Sequence, residues 1–161
     1  MRTPYVAGNW KMNLDRRAAR DLAVAVRDHA VSGVDVGLFP AIVHLDEVTR
    51  ATAGSHVKVG GQNCSDEQEG AFTGEVSARM LKDVGATVAL LGHSERRHVY
   101  GESDEFIARK VRRALEDGLE VMFCVGETIE ERRDGRTESV CQTQLMAGLE
   151  GLDQAALARV S

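Results

Sequence analysis

Short apolar runs recur along the chain roughly every thirty residues, and each is bounded by Gly, Pro or Asn. They are mostly free of charge, which is typical of strands buried on both faces of a parallel sheet. The pattern therefore predicts five strands, at residues 5–10, 35–40, 57–63, 87–92 and 119–126.

Between these runs lie stretches with apolar residues at three- and four-residue steps, which indicate amphipathic helices. In one of the clearest, Ile107, Val111 and Leu115 fall on one face, and Gly118 is suited to end the helix. The predicted helices cover residues 16–30, 42–54, 77–85, 104–118 and 137–152.

Five successive strand–helix units predict right-handed crossovers and one parallel sheet. A doubly wound α/β sheet of five strands would be complete in a single domain of 161 residues. A (β/α)8 barrel is the alternative, but it needs about 250 residues and would be cut short here. The hydrophobic pattern fits both architectures, so it leaves the choice between them open.

Composition narrows the class of protein. The formal charge is −5 with both signs interspersed, which argues against nucleic acid as the main partner. No run approaches the roughly 20 apolar residues of a membrane span, and no apolar secretion signal opens the sequence. The three cysteines are widely spaced, which suits a reducing cytosol and offers no metal-ligand spacing. We therefore expect a cytoplasmic protein without a metal, nucleic acid or membrane partner.

Asn9 and Lys11 are two residues apart at the C-terminal end of the first predicted strand. Side chains at this spacing lie on one face of a strand. An amide and an ammonium at the carboxyl end of a parallel strand suit a small anionic substrate. A solvated strand end without a function is the alternative, and the spacing alone leaves both open.

A polar block follows the fourth predicted strand, and it begins with His93 and Ser94. We predict that Ser94 caps a short helix that starts here. A helix N-terminus disfavours the protonated imidazole, so the ring would stay neutral and donate from one nitrogen. A hydrogen-bonded core histidine without a catalytic role is the alternative.

Charged residues continue this block. Glu95 could pair with Lys11, and Arg96 and Arg97 could hold acidic groups such as Glu102. A solvated charge run is the alternative interpretation, but it is weakened because the block follows a predicted buried strand.

Longer motifs carry a specific resemblance. They are GNWKMN (8–13), GGQNC (60–64), GAFTGEVS (70–77), GATVALLGHSERRHVYGESDE (85–105) and CVGETIEER (124–132). Together they resemble the triosephosphate isomerase family over nearly the whole chain, from Tyr5 to about Leu145. The resemblance implies an incomplete (β/α)8 TIM barrel with the first five parallel βα units, in which strands six to eight are absent.

The resemblance also implies roles for individual residues. Asn9 and Lys11 match substrate-contacting residues, and Lys11 would stabilise negative charge on an enediolate. His93 matches the residue that polarises the substrate carbonyl, and Glu95 matches the glutamate paired with the lysine. The family reaction interconverts dihydroxyacetone phosphate and D-glyceraldehyde 3-phosphate in glycolysis and gluconeogenesis, without a cofactor.

The segment 62–77 matches a loop that enters a partner subunit in the family. Its candidate contact residues are Thr73, Gly74 and Glu75, and Thr73 would sit at the tip. The resemblance thus implies a homo-oligomer. The family's glutamate base, mobile lid and phosphate-binding loops have no match in this sequence, so we expect residues 1–161 alone to be inactive. The alternative function is a non-catalytic, self-associating barrel fragment, with strands one and five as open edges. A flavodoxin-like binding domain is a third, more remote interpretation.

Overall fold

Residues 3–161 are described by the computed structural model, and they form five strands and eight α-helices. The strands are β1 (Tyr5–Asn9), β2 (Asp35–Phe39), β3 (Val57–Gly61), β4 (Val88–Leu91) and β5 (Glu120–Phe123). The helices are α1 (Arg16–His29), α2 (Leu45–Ala51), α3 (Ala78–Asp83), α4 (Ser94–His98), α5 (Asp104–Glu116), α6 (Ile129–Arg133), α7 (Thr137–Leu149) and α8 (Gln154–Leu157). All five predicted strands and all five predicted long helices are therefore present.

The order of the strands distinguishes the two architectures that the hydrophobic pattern left open. All neighbouring strands are parallel, and the order is β1-β2-β3-β4-β5 without a reversal. A doubly wound sheet reverses its strand order at a switch point, so this sheet is not doubly wound. The five strands instead form a curled half-barrel, as expected for an incomplete TIM barrel.

The two faces of the sheet are buried to different extents. Residues on the outer face, such as Leu38, Val59 and Leu91, belong to one large buried cluster with helix residues such as Ile107 and Leu81. The inner face forms a separate, smaller cluster in which every residue comes from a strand or strand end: Phe39, Val88, Leu90, Met122 and Cys124. The stable packing is thus between the sheet and its outer helices, while the inner face is lined by the strands alone.

The prediction that every strand is buried on both faces holds for β4 and is wrong for β1. All four residues of β4 are buried. In β1, by contrast, Val6 is 60% exposed and Ala7 is also exposed. The reason is position, since β4 lies between β3 and β5, whereas β1 lies at the edge of the sheet.

The prediction that strand five has an open edge is also wrong in part. Val121 N–H donates to the Arg159 carbonyl and Ser161 N–H donates to the Val121 carbonyl, each at 2.9 Å. Phe123 N–H donates to the Ser161 carbonyl at 2.9 Å. The last residues of the sequence therefore form a parallel bridge along β5, between Val121 and Val160.

Helix boundaries differ from the predictions mainly at short helices. Helices α6 and α8 were not predicted, although Thr128 and Glu131 form a capping box that marks the start of α6. The predicted cap of α4 at Ser94 is wrong, because His93 is the N-cap residue and Ser94 is the first helical residue. No helix within residues 3–161 is long and apolar enough to cross a membrane.

Candidate active site

The loop after β1 presents the first candidate residues at the carboxyl edge of the sheet. Asn9 is the last residue of β1, and its side-chain oxygen accepts a hydrogen bond from the Lys11 N–H at 3.0 Å. Lys11 adopts a left-handed backbone conformation with a φ of 54°. This conformation is uncommon for a residue with a side chain, and such strain clusters at functional sites.

Lys11 and Glu95 form the ion pair that the sequence predicted. The Lys11 Nζ lies 2.5 Å from Glu95 Oε1, although the two residues are 84 positions apart. The hydrogen bond from Lys11 lowers the pKa of the Glu95 carboxyl below its usual range, and proximity to His93 acts in the same direction. Glu95 is therefore a carboxylate at neutral pH, and Lys11 has a fixed anionic partner.

His93 lies between the end of β4 and the start of α4. Its Nδ1 is 2.6 Å from Glu95 Oε2 and 3.4 Å from the backbone nitrogen of Glu95. Two acceptors do not approach to 2.6 Å without a proton between them, and Glu95 is ionised, so the shorter contact assigns this proton to Nδ1. The longer contact is the N-cap hydrogen bond, in which Nδ1 would accept and leave the ring proton on Nε2.

These two contacts of Nδ1 cannot both be made by one neutral tautomer. A ring that donates to a substrate from Nε2 while neutral needs the N-cap arrangement, with the Glu95 carboxylate moved away from Nδ1. The expectation of a neutral His93 ring that donates to substrate remains a prediction.

The predicted residues surround one cavity of about 340 Å³. Asn9 and Lys11 line it from the loop after β1, and His93 and Glu95 line it from the start of α4. Small-molecule sites in parallel α/β sheets are found at this carboxyl edge. The remaining lining residues are Met12, Gln62, Asn63, Arg96, Val99 and Tyr100.

A buried charge network lies next to this cavity. The Arg96 guanidinium donates to Glu102 Oε1 from Nε at 2.8 Å, as predicted. The Lys110 Nζ donates to the same oxygen at 2.5 Å and to Asn63 Oδ1 at 3.1 Å. Lys110 was not predicted, because a lysine in an amphipathic helix normally faces solvent. The network links α5 to two residues of the cavity wall, Arg96 and Asn63.

Arg97 also binds an acidic group, as expected, but the partner is Asp104. Its guanidinium donates in addition to the carbonyl oxygens of Gly92 at 2.7 Å and Cys124 at 3.2 Å. This side chain therefore connects the ends of β4 and β5 beside His93.

The predicted oligomer loop is well defined within the chain. Thr73 and Gly74 form a turn in which Gly74 has a φ of 94°, and the Glu75 N–H donates to the Phe72 carbonyl at 3.0 Å. Thr73, Gly74 and Glu75 are all exposed. Gly74 and Glu75 line a second cavity, of about 360 Å³, together with Lys11 and Gln62.

Gln62 is the residue of the site whose contribution the sequence did not reveal. It follows β3, and its Nε2 donates to the backbone carbonyls of Lys11 at 2.9 Å and Phe39 at 2.8 Å. The signal was present in the motif GGQNC, but the partners are 51 and 23 residues away in sequence. Only the packing of three strand ends brings them together.

Comparisons with known proteins agree with this geometry. The family model for triosephosphate isomerase matches residues 4–161. The triosephosphate isomerase of Symbiobacterium thermophilum is 47% identical over 154 residues, which are 94% of this chain and 60% of that protein. The chain belongs to the triosephosphate isomerase family.

Other triosephosphate isomerases show the same extent of similarity. The enzyme of Carboxydothermus hydrogenoformans is 47% identical over 94% of this chain and 61% of its own length. That of Treponema denticola is 45% identical over 92% of this chain and 60% of its own length. The chain thus spans about 60% of the curated triosephosphate isomerases that it matches.

Within a chain of this family, the predicted site residues are brought together as a group. Asn9, Lys11, His93 and Glu95 line the same cavity. Within residues 3–161, no group of three or more His, Cys, Asp or Glu side chains could hold a metal ion. The four side chains are an amide, an ammonium, an imidazole and a carboxylate, a set in which the ammonium, amide and imidazole can bind an anionic ligand.

Proposed function

We propose that this chain forms the part of a triosephosphate isomerase that binds the triose phosphate and polarises its carbonyl group. The observation that carries the proposal is that the Asn9 amide, the Lys11 ammonium and the His93 imidazole line one cavity, in which the Glu95 carboxylate holds Lys11. Groups of this kind, held in place before the reaction, stabilise the charge that develops on the substrate oxygens.

The proposed reaction moves one proton between adjacent carbons. A base takes a proton from C1 of dihydroxyacetone phosphate, the bonding electrons form the C1–C2 double bond, and the carbonyl electrons move to oxygen. The resulting enediolate is reprotonated at C2, and the oxygen at C1 becomes the carbonyl of D-glyceraldehyde 3-phosphate. The base is the glutamate that the family resemblance places after a sixth strand, for which this sequence has no match.

The residues of this chain act on the oxygens. Lys11 stabilises the negative charge that develops as the carbonyl electrons move, and Asn9 contacts the substrate beside it. His93 donates a hydrogen bond to the carbonyl oxygen and moves a proton between the two oxygens. Glu95 fixes the Lys11 ammonium, as their 2.5 Å contact supports, and releases its 2.6 Å contact with His93 Nδ1 when the neutral ring donates from Nε2. No cofactor is required for these steps.

A chimera tests this function. Residues 1–161 are joined to the C-terminal remainder of the Symbiobacterium thermophilum relative, and isomerisation of D-glyceraldehyde 3-phosphate is measured. We expect turnover from the chimera and none above background from residues 1–161 alone, because loss of a positioned base costs about 10²–10⁴-fold. A folded chimera without turnover would overturn the proposal.

The role of His93 is tested in the same chimera. His93→Gln should lower kcat by about 10²-fold or more, because the ring no longer donates to the carbonyl or transfers a proton. His29→Gln is the matched control, since His29 is exposed on α1 and its described hydrogen bond is to the Ala25 carbonyl. Equal turnover of the two variants would contradict the assigned role.

We also propose that copies of this chain associate through the loop that carries Thr73, Gly74 and Glu75. Apolar side chains lie exposed in this loop and in the loops after β1 and β2: Met12 (94%), Val43 (80%) and Phe72 (45%). Such exposed apolar groups favour an interface. Pairing of strand edges is the competing mode, and it is disfavoured because residues 159–161 occupy part of the β5 edge.

Sedimentation velocity distinguishes the modes of association. Phe72→Asp should shift the chimera towards monomer by placing a charge in the interface. Val31→Asp is the control, because Val31 is 62% exposed just after α1, outside this loop. A monomeric parent protein at micromolar concentration would remove the proposal.

A cytoplasmic location is proposed as well, and the three free cysteines are compatible with it.

A further inference from the structure

The backbone of Lys11 is held from both sides. Its N–H donates to the Asn9 side chain at 3.0 Å, and its carbonyl accepts from Gln62 Nε2 at 2.9 Å. Between these bonds the residue has a φ of 54°, a left-handed conformation that a lysine rarely adopts without support. The direction of the Cα–Cβ bond, and hence the reach of the ammonium, follows from this backbone conformation.

Gln62 connects this strained residue to a rigid part of the fold. The same Nε2 that donates to Lys11 also donates to the Phe39 carbonyl at 2.8 Å. Phe39 is fully buried at the end of β2. A side-chain amide has two N–H groups, so both donors of Gln62 are used for these two carbonyls. Gln62 therefore fixes the position of the Lys11 carbonyl relative to the buried end of β2.

Other side chains hold neighbouring parts of the loop. The Asn13 Nδ2 donates to the Trp10 carbonyl at 2.9 Å, and His44 Nε2 contacts the Leu14 carbonyl at 3.1 Å. Within residues 3–161, Gln62 is the side chain that binds the carbonyl of Lys11 itself. Without these donors, the Lys11 carbonyl would be free to move, and the backbone of Lys11 would relax from its left-handed φ.

We propose that Gln62 is a positioning residue that holds Lys11 in its left-handed conformation and so sets the place of the ammonium in the cavity. Its catalytic consequence depends on the function proposed above, in which Lys11 binds substrate and stabilises the enediolate. Gln62 acts through the Lys11 backbone, and its side chain is assigned no step of the reaction.

The first experiment measures the backbone and requires no activity. Gln62→Glu keeps the length of the side chain and replaces both donors with acceptors. A positive φ brings the amide and Hα protons of one residue close together, so Lys11 should show a strong intraresidue NOE in the 161-residue chain. We expect Gln62→Glu to weaken this NOE, and an unchanged NOE would overturn the proposal.

Two further variants make this result specific. Gln62→Met removes the donors without adding a charge. If the glutamate variant does not fold, the Lys11 NOE is measured in this variant instead. Gln68→Glu makes the same chemical change six residues later, at a side chain whose polar neighbours are Arg79, Arg113 and Asp117. It should leave the Lys11 NOE unchanged. Equal weakening in Gln68→Glu would show a general loosening of the loop and would overturn the specific role of Gln62.

The second experiment measures kinetics in the chimera. A displaced ammonium should raise KM for D-glyceraldehyde 3-phosphate about tenfold and lower kcat/KM by about ten- to a hundredfold. A merely structural role would reduce the fraction of active enzyme, which lowers apparent kcat and leaves KM unchanged. An unchanged KM would therefore overturn the link to the ammonium. If the parent chimera has no turnover, the proposed function fails, and the NOE still tests the backbone role.

Discussion

Two lysine–glutamate ion pairs in this chain have the same N···O distance, but one pair is exposed and the other is buried. Lys11 Nζ and Glu95 Oε1 are 2.5 Å apart with exposed side-chain fractions of 53% and 41%. Lys110 Nζ and Glu102 Oε1 are also 2.5 Å apart, with exposed fractions of 1% and 4%. An exposed pair contributes about 0–1 kcal/mol, whereas breaking a buried pair costs several kcal/mol. Distance alone therefore does not tell which pair stabilises the fold.

The two pairs also differ in their additional partners, and these partners determine whether the ammonium stays bound to protein groups or keeps its water. Glu102 binds Arg96 as well as Lys110, and Lys110 binds Asn63 and lies 4.4 Å from the centre of the Phe106 ring. These contacts replace the water that the buried ammonium has lost. The Lys11 ammonium keeps much of its water, so it can exchange its contact with Glu95 for an anionic ligand at low cost.

The largest predicted effect is that of Glu102→Gln. This change leaves the buried Lys110 ammonium without an anion and removes the carboxylate bound by Arg96, so the free energy of unfolding should fall by about 3–5 kcal/mol. Urea denaturation followed by circular dichroism measures it. Glu105→Gln, at an exposed position in the first turn of α5, is the control, and similar losses in both variants would contradict the comparison.

Lys110→Met should have a smaller effect. Glu102 keeps Arg96 as a partner, and the methionine fills most of the volume of the lysine stem, so we expect a loss of about 1–3 kcal/mol. The same denaturation experiment measures it. A loss as large as that of Glu102→Gln would mean that Arg96 does not stabilise the buried carboxylate.

A third prediction uses Cys64, whose thiol is buried beside Lys110. Burial raises the pKa of this thiol from 9.0 to about 12, and the nearby lysine opposes the rise. The unfolded thiol ionises first, so its contribution to stability is present below pH 9 and is lost as the pH rises towards 12. Unfolding of Cys64→Ala should depend less on pH in this range, by about 1 kcal/mol per pH unit. Parallel pH profiles for the two proteins would rule this out.

The smallest effect on stability is expected for Lys11→Met. The free energy of unfolding should change by less than about 1 kcal/mol, because the pair is half-exposed. The same change should raise the lowered pKa of Glu95, which a carboxyl NMR titration measures. The lowered pKa stabilises the folded state above the pKa of the unfolded carboxyl, and this contribution is lost as the pH falls through the folded pKa. An unaltered titration of Glu95 would contradict the assigned role of Lys11.

The sequence by itself determined the five strands, the longer helices and which polar residues follow the strand ends. The reason given for placing Asn9 and Lys11 together, strand alternation, is wrong because Lys11 lies beyond β1 with a φ of 54°, but both residues do line one cavity. The polar block from His93 to Arg97 was correctly placed after β4. These features are local, because strand and helix periods are properties of consecutive residues. The motifs also identified the family, which the comparison with residues 4–161 confirms.

Beyond the Lys11–Glu95 pair, which the sequence predicted, only the tertiary structure decided which distant residues meet. The strand order, the contact of Gln62 with Lys11 and the bridge between Val121 and Val160 depend on how separate strands align. The burial of Lys110 is of the same kind, since its helical position predicts exposure and a carboxylate from another segment makes burial stable. Hydrophobic periodicity shows which face of an element is buried, but the neighbour that covers the face is set by the packing of the whole chain.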